Sequence, residues 1–245
     1  MLWRKNKSIK DLLPPPVDAS HREYSMILSA HDEKGRANAI LIDLSLKAIA
    51  AARQTDLSFL SQRLPHPPFF PDTWPGEHYK LLAGFIQVLK PKLAIEIGTS
   101  TGLSALAMAS FLSAGGRLVT YDVKNWRDYP NTALKEEDFS NLTQVVGDLS
   151  QPDFFREEGA RLRQAEWIFI DATHDGHLEK KLLDLLGTLS FEKPPFLLFD
   201  DIRVWTMLKM WREISYPKLD LTSFGHWSGT GLVHLADPLA QKNGN

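Results

Sequence analysis

Residues 92–104 read KLAIEIGTSTGLS, and the fold is decided there. Leu93, Ala94, Ile95 and Ile97 make an apolar run of strand length, which stops at a polar stretch bounded by Gly98 and Gly102. Leu103 then opens a segment with the apolar spacing of a helix. A strand that enters a glycine turn and leaves it as a helix is the repeating unit of an α/β sheet. Glycine admits positive φ and close backbone approach, and the first turn of the next helix offers N–H groups with no partner inside it. The stretch reads either as a ligand cradle or as a tight turn without a ligand. It is not the dinucleotide fingerprint, because Ser100 stands at the central glycine position, nor a P-loop, because no lysine follows Gly102.

Downstream the same alternation continues. Leu103–Leu112 reads as a helix closed by Gly115-Gly116, Arg117–Val123 and Leu142–Asp148 as strands, and Pro152–Leu162 as a helix. Trp167–Ala172 is a predicted strand, and His177–Leu186 a helix with Leu178, Leu182, Leu185 and Leu186 inward. Pro195–Ile202 is a strand, and Val204–Ile214 a helix carrying Trp205, Leu208 and Trp211. Leu219–Phe224 and Gly231–Leu235 read as a closing hairpin, joined by His226-Trp227-Ser228-Gly229. Continuous apolar strands alternating with helices specify an α/β, doubly wound, mostly parallel sheet covered on both faces, and the hairpin adds one antiparallel strand.

Upstream, residues 1–75 are an N-terminal extension: a polar arm, a helix over 38–63, and a proline-rich segment over 64–75 that is either a linker or an aromatic lid. Glu77 to Lys90 is a helix ended by Pro91. The catalytic domain is expected over 76–238, followed by a tail at 239–245.

Composition narrows the class. The chain has 245 residues, 43% hydrophobic and 24% charged, as in ordinary globular proteins. A net charge of -2 gives no basis for binding nucleic acid through bulk charge. With no cysteine, disulfide scaffolds, Cys-based zinc sites, iron–sulfur clusters and cysteine nucleophiles are excluded. No apolar run reaches membrane-spanning length, and no apolar run follows the basic start, so a cytoplasmic protein without a membrane partner is expected.

In such a sheet, ligands bind outside the carboxyl ends of the strands, so the residues that end each strand matter most. The second strand ends at Asp122, 24 residues after Gly98, placed either to accept hydrogen bonds from two ribose hydroxyls or to act as a cap. Asp148 ends the third, as an acceptor for an adenine amine or as a turn residue. Asp171 ends the fourth, and Asp200 and Asp201 the fifth. Three carboxylates converging there repel one another unless a cation lies between them, and oxygen-only ligands favour Mg²⁺, Mn²⁺ or Ca²⁺. The alternative is that one of them caps a helix and the others are solvated. His174, three residues past Asp171, is a candidate general base. His177 and His226 are set aside as surface or substrate-contact residues.

Together these residues resemble the class I S-adenosylmethionine-dependent methyltransferases, over roughly residues 77–237, and most closely the metal-dependent O-methyltransferases of small molecules and sugars. Glu96 through Ser104 fits that family's first-strand motif, E-(I/L)-G-T-x-T-G-x-S. The resemblance implies a seven-stranded sheet and a cofactor held by Glu96, Gly98, Thr99, Ser100, Gly102, Ser104, Asp122, Asp148 and Asp171. It implies a divalent cation, Mg²⁺ first, held by Asp171, Asp200 and Asp201, with His174 as the base, as in sugar-type relatives. Asp175-Gly176-His177 departs from the usual continuation after the histidine, and the loop after Asp122 matches no pattern. The implied reaction is methyl transfer to the hydroxyl of a small sugar, polyol or phenol. Substrate walls are expected from residues 64–75, from the loop 124–132, and from Trp74, His226 and Trp227. Such enzymes are often oligomers, and the helix at 38–63 is a candidate contact for a homo-oligomer, but the sequence does not give the oligomeric state. Two alternatives are another enzyme on this sheet, hydroxylase-like or nicotinamide-dependent, and a cofactor-binding module without catalysis.

Overall fold

The computed structural model describes residues 33–64 and 75–236. The strands are β1 Leu93–Ile97, β2 Arg117–Asp122, β3 Leu142–Val146, β4 Trp167–Ile170, β5 Phe196–Asp200, β6 Lys218–Asp220 and β7 Thr230–His234. They form one sheet in the order β3-β2-β1-β4-β5-β7-β6. β3 through β5 are parallel neighbours, and β7 runs antiparallel to β5 and to β6. A single reversed strand inside a parallel sheet is the architecture the sequence predicts.

The helices are α1 Ala39–Ala52, α2 Ser58–Ser61, α3 His78–Leu89, α4 Leu103–Ala109, α5 Pro152–Leu162, α6 His177–Gly187 and α7 Trp205–Glu213. Strand residues alternate between two cores, as the period of two requires. Ala94, Leu118, Leu142, Trp167, Phe169, Leu198 and Leu232 face the layer of α1, α3 and α4. Ile95, Ile97, Val119, Tyr121, Ile168, Ile170, Phe199 and Val233 face α5, α6 and α7. Leu41, Leu44 and Ala48 of α1 join the first core, while Ile40, Ile42 and Leu46 stay exposed. Phe85 of α3 stacks on Trp167 with ring centroids 4.9 Å apart, and both rings are fully buried.

Several boundaries differ from the sequence reading, and local polar hydrogen bonds account for three of them. The helix expected over 38–63 breaks after Ala52, where the Asp56 carboxylate accepts from Ser58 N–H at 2.8 Å and starts a separate turn. The helix expected to reach Leu112 ends at Ala109, where Ser110 Oγ donates to the Leu106 carbonyl at 2.8 Å; the glycine pair at 115–116 opens β2 instead of closing this helix. The strand expected over Leu219–Phe224 ends at Asp220, whose Oδ1 accepts from Thr222 N–H at 2.9 Å and starts a 3₁₀ turn. In α6 the fully inward leucines are Leu182, Leu183 and Leu186, with Leu178 and Leu185 half-buried. Trp205 of α7 is exposed, whereas Leu208 and Trp211 are buried.

The chain runs from β1 outward to β3 on one side and from β4 outward on the other. The sheet therefore has its switch point between β1 and β4, and the crevice lies at their carboxyl ends. Among the described residues, no helix is long and apolar enough to cross a membrane.

Candidate functional site

The loop after β1 is shaped by one close approach. Gly98 has φ 108°, its N–H donates to the Tyr121 carbonyl at 2.8 Å, and a Cβ built on it would stand 1.7 Å from the Asp171 carbonyl oxygen. Only glycine lets this loop lie on the end of β4. Ser100 follows with φ 44°, and its N–H donates to Asp122 Oδ2 at 2.9 Å. Asp122 Oδ1 also accepts from Lys124 N–H at 2.9 Å, and the Tyr129 hydroxyl lies 3.2 Å from it.

A cavity of about 340 Å³ opens here, walled by Gly98, Ser100, Asp122, Tyr129, Asp148, Asp171, Ala172 and Leu178, among others. A larger hollow of about 560 Å³ lies at the opposite ends of the strands, among Lys92, Arg117, Arg163 and Lys193, away from every strand-end carboxylate. Asp148 serves two purposes at once. Its carboxylate accepts from Ser150 N–H at 2.8 Å, forming the turn into α5, and it also faces the cavity. Burial opposes its ionisation, but hydrogen bonds from Gln151 and Ser150 outweigh that and hold its pKa below the ordinary value.

Glu96, Thr99, Gly102 and Ser104 are buried behind the loop and do not wall the cavity. Thr120 Oγ1 donates to Glu96 Oε2 at 2.5 Å and lies 2.7 Å from Thr99 Oγ1, while Glu96 Oε1 has no hydrogen-bond partner. Burial pushes the Glu96 carboxyl up to about 8, against the hydrogen bonds from Ser104 and Thr120. These residues support the loop from beneath.

The second half of the site is the acidic centre. Asp171, Asp200 and Asp201 come together, as the strand ends predict. Asp200 is 5% exposed, and burial followed by the charges of Asp171 and Asp201 pushes its carboxyl well above the ordinary value. Asp201 has φ 57°, which turns its side chain back toward the same point. Burial works against Asp201 ionising, yet hydrogen bonds from His226 and Ser228 and the nearby imidazoles keep its pKa low. His174, with φ 57°, has Nε2 3.3 Å from Asp171 Oδ1 and Nδ1 3.3 Å from Asp201 Oδ2. Its hydrogen bond to Asp171 raises its pKa, against partial burial, so the imidazole has an increased appetite for a proton.

Sequence reasoning missed several residues here. His78, the first residue of α3, is 4% exposed and lies with Nδ1 3.7 Å from Asp200 Oδ1. Burial lowers its pKa to about 4, so the ring is neutral at pH 7. His226, set aside from sequence, has Nδ1 2.9 Å from Asp201 Oδ1 and 3.5 Å from Asp200 Oδ1. It belongs to the centre itself and is not a surface residue. Ser228 Oγ donates to Asp201 Oδ1. Glu179, buried in the first turn of α6, accepts from the N–H groups of His174 at 2.8 Å and Gly176 at 2.9 Å, which fixes the loop of the candidate base. The one sequence signal for Glu179 was a carboxylate at the third position of a helix, where it can accept from backbone N–H groups. His177 contributes only its backbone N–H, to Asp175 Oδ1 at 2.8 Å. Trp227 is exposed beside His226, whereas Trp74 and nearly all of 64–75 lie outside the described residues.

The donor set fits a divalent cation. His78 Nδ1 and Asp200 Oδ1 are both buried and without a hydrogen-bond partner, a state that costs roughly 1–3 kcal/mol per group and more when charged. Donor atoms of His78, Asp171 and Asp200 lie within 4.8 Å of one another, as do those of Asp200, Asp201 and His226.

A family model described as a methyltransferase domain matches residues 95–202. Catechol O-methyltransferase domain-containing protein 1 of Mus musculus is 47% identical over 47 residues, a match covering 19% of this chain and 18% of that protein. The aligned part is thus under a fifth of that relative's length. A Staphylococcus aureus protein described as a caffeoyl-CoA O-methyltransferase shares the fold, with a TM-score of 0.50 at 17% identity over 80% of this chain and 97% of that one. An O-methyltransferase of Bacillus cereus in complex with SAH has a TM-score of 0.45 at 18% identity, over 77% of this chain and 90% of that one. The matched stretch starts inside β1 and ends just past β5, so it contains the strand ends that build the cleft, and this part of the chain is a methyltransferase domain.

Proposed function

We propose that the chain is an O-methyltransferase acting on a hydroxyl of a small molecule with the help of a divalent cation. One observation carries this reading: Asp171 walls the cofactor cavity and also belongs to the acidic centre. A methyl donor in the cavity is thereby brought beside the place where a hydroxyl would be activated.

In this reading S-adenosylmethionine occupies the cavity, with Asp122 and Tyr129 toward the ribose, Asp148 toward the adenine, and the loop of Gly98 and Ser100 around the methionine end. Asp171, Asp200 and Asp201 hold the cation. When bound, the two groups supply an electrophilic methyl and a lowered hydroxyl pKa. His174 takes the hydroxyl proton on a ring nitrogen, and Asp171 and Asp201 stabilise the resulting imidazolium. Glu179 keeps the imidazole in reach by holding the backbone on either side of it. Fixing acceptor and donor in line supplies most of the rate, up to about 7–11 kcal/mol of barrier. The exposed Trp227 at the rim offers a flat apolar wall to a ring or sugar face.

Calorimetric titration tests the reading. S-Adenosylmethionine is expected to bind at micromolar Kd both with Mg²⁺ and with EDTA, and a separate divalent-cation isotherm is expected to vanish in Asp200→Ala. No cofactor binding in either buffer would rule out the assignment.

A further inference from the structure

The acidic centre is not an oxygen-only site. His78 Nδ1 and Asp200 Oδ1 face each other at 3.7 Å, both buried and both without a hydrogen bond. His226 Nδ1 approaches the same carboxylate oxygen to 3.5 Å from the other side, and the two imidazole centroids are 5.2 Å apart. Spacings near 3 Å between neighbouring donors, and about 4 Å across, are those of bonds of about 2.1 Å to an octahedral divalent ion. Both rings are anchored by backbone. Gly76 and His226 form an antiparallel bridge, Trp227 N–H donates to the Pro75 carbonyl at 3.2 Å, and His226 N–H donates to Thr230 Oγ1 at 2.7 Å. Both also lie outside the matched methyltransferase domain of residues 95–202.

We propose that His78 and His226 are metal ligands alongside Asp171, Asp200 and Asp201, and that this mixed nitrogen–oxygen set selects a divalent transition metal such as Mn²⁺, Fe²⁺ or Co²⁺ over Mg²⁺ and Ca²⁺. The inference rests on the metal-assisted reading above and changes its metal. Mg²⁺ and Ca²⁺ favour carboxylate, carbonyl and water oxygens and gain little from imidazole, whereas first-row divalent ions gain from nitrogen ligands in the order Mn²⁺ < Fe²⁺ < Co²⁺, so Mn²⁺ is the most demanding probe of that preference. Two preplaced histidines therefore shift preference away from the hard ions.

The test uses the full chain stripped with a chelator. Mn²⁺ is titrated and followed by electron paramagnetic resonance, Mg²⁺ is added as competitor, and the bound Mn²⁺ is examined for ¹⁴N electron spin-echo modulation. Expected are Mn²⁺ binding at least 100-fold tighter than Mg²⁺ and ¹⁴N coupling from coordinated imidazole. His78→Ala and His226→Ala should each weaken Mn²⁺ at least tenfold, narrow the preference over Mg²⁺ and reduce the coupling. Retained S-adenosylmethionine binding in EDTA reports that each variant is folded. His226→Ala, in a loop and only half-buried, carries the test if the buried His78 cannot be replaced. Mn²⁺ bound without ¹⁴N coupling, with Mg²⁺ equally tight and both variants unchanged, overturns the histidine ligation and leaves metal assistance standing. No binding of any divalent ion by a chain that still binds the cofactor overturns both.

Discussion

Replacing Gly98 by alanine should damage both halves of the site at once. The added methyl carbon would lie 1.7 Å from the Asp171 carbonyl oxygen, far inside the ~3.5 Å of ordinary contact. Either the loop or the end of β4 must retreat by more than an ångström. The backbone at φ 108° adds a penalty of its own for any residue with a Cβ. Overpacking costs about 1–3 kcal/mol and the left-handed backbone about 1–2 kcal/mol, together roughly 2–5 kcal/mol. A domain of this size loses about 2–4 °C of Tm per kcal/mol, so the melting temperature should fall by about 4–20 °C. Because the retreat displaces Ser100 on one side and Asp171 on the other, the Kd for S-adenosylmethionine should rise at least tenfold, and divalent-ion affinity should fall with it. Differential scanning calorimetry and titration calorimetry on the same preparation measure both. A Gly98→Ala chain that melts within 1 °C of the parent and binds the cofactor within twofold would refute the reasoning, because the close approach would then carry no constraint.

Other outcomes can be checked alongside it. Glu96 keeps its proton up to about pH 8 in the fold but ionises near 4.5 when unfolded, so the unfolded chain binds fewer protons between those values. Its contribution to stability is complete below pH 4.5 and declines as pH rises to 8, by at most about 5 kcal/mol; urea titrations at pH 5 to 9 should show this slope, and Glu96→Gln should flatten it. His174→Ala should lower kcat by about 10²–10⁴ with S-adenosylmethionine affinity unchanged, and loss of cofactor affinity instead would move His174 out of the base role. Asp122→Ala removes the acceptor of the Ser100 N–H and should weaken cofactor binding by about 1.5–3 kcal/mol, with metal affinity intact.

The strand-end carboxylates could be read from sequence because a parallel sheet puts the last residue of each strand at one edge, whatever follows it. Asp122, Asp148, Asp171 and Asp200 needed only that rule. Ser100, His174 and Asp201 were named from sequence too, but not the left-handed backbone that aims them, since nothing in those residue types demands positive φ. His78 and His226 could not be read, for a different reason. Each is a single histidine outside the strand–helix alternation, and their meeting depends on two segments closing over β5. The misplaced element ends at Asp56, Ser110 and Asp220 share one cause: a short polar side chain that bonded the nearby backbone where apolar periodicity alone suggested continuation.

The bridge between Gly76 and His226 also bears on how the molecule folds. It joins residues about 150 apart in the chain, whereas the Gly98 loop is fixed by Tyr121 and Asp122 and by Asp171, all within about half that separation. Closing so long a loop is entropically slower than pairing adjacent strands. The wall of the cavity can therefore form while the histidine pair is still apart, and the centre is completed last, when the segment before α3 meets the connection between β6 and β7. Refolding followed by cofactor binding should run ahead of refolding followed by metal uptake, and equal rates for the two would contradict that order. A chain cut or permuted between β6 and β7 would keep its early-forming half and lose the junction that brings the two imidazoles together.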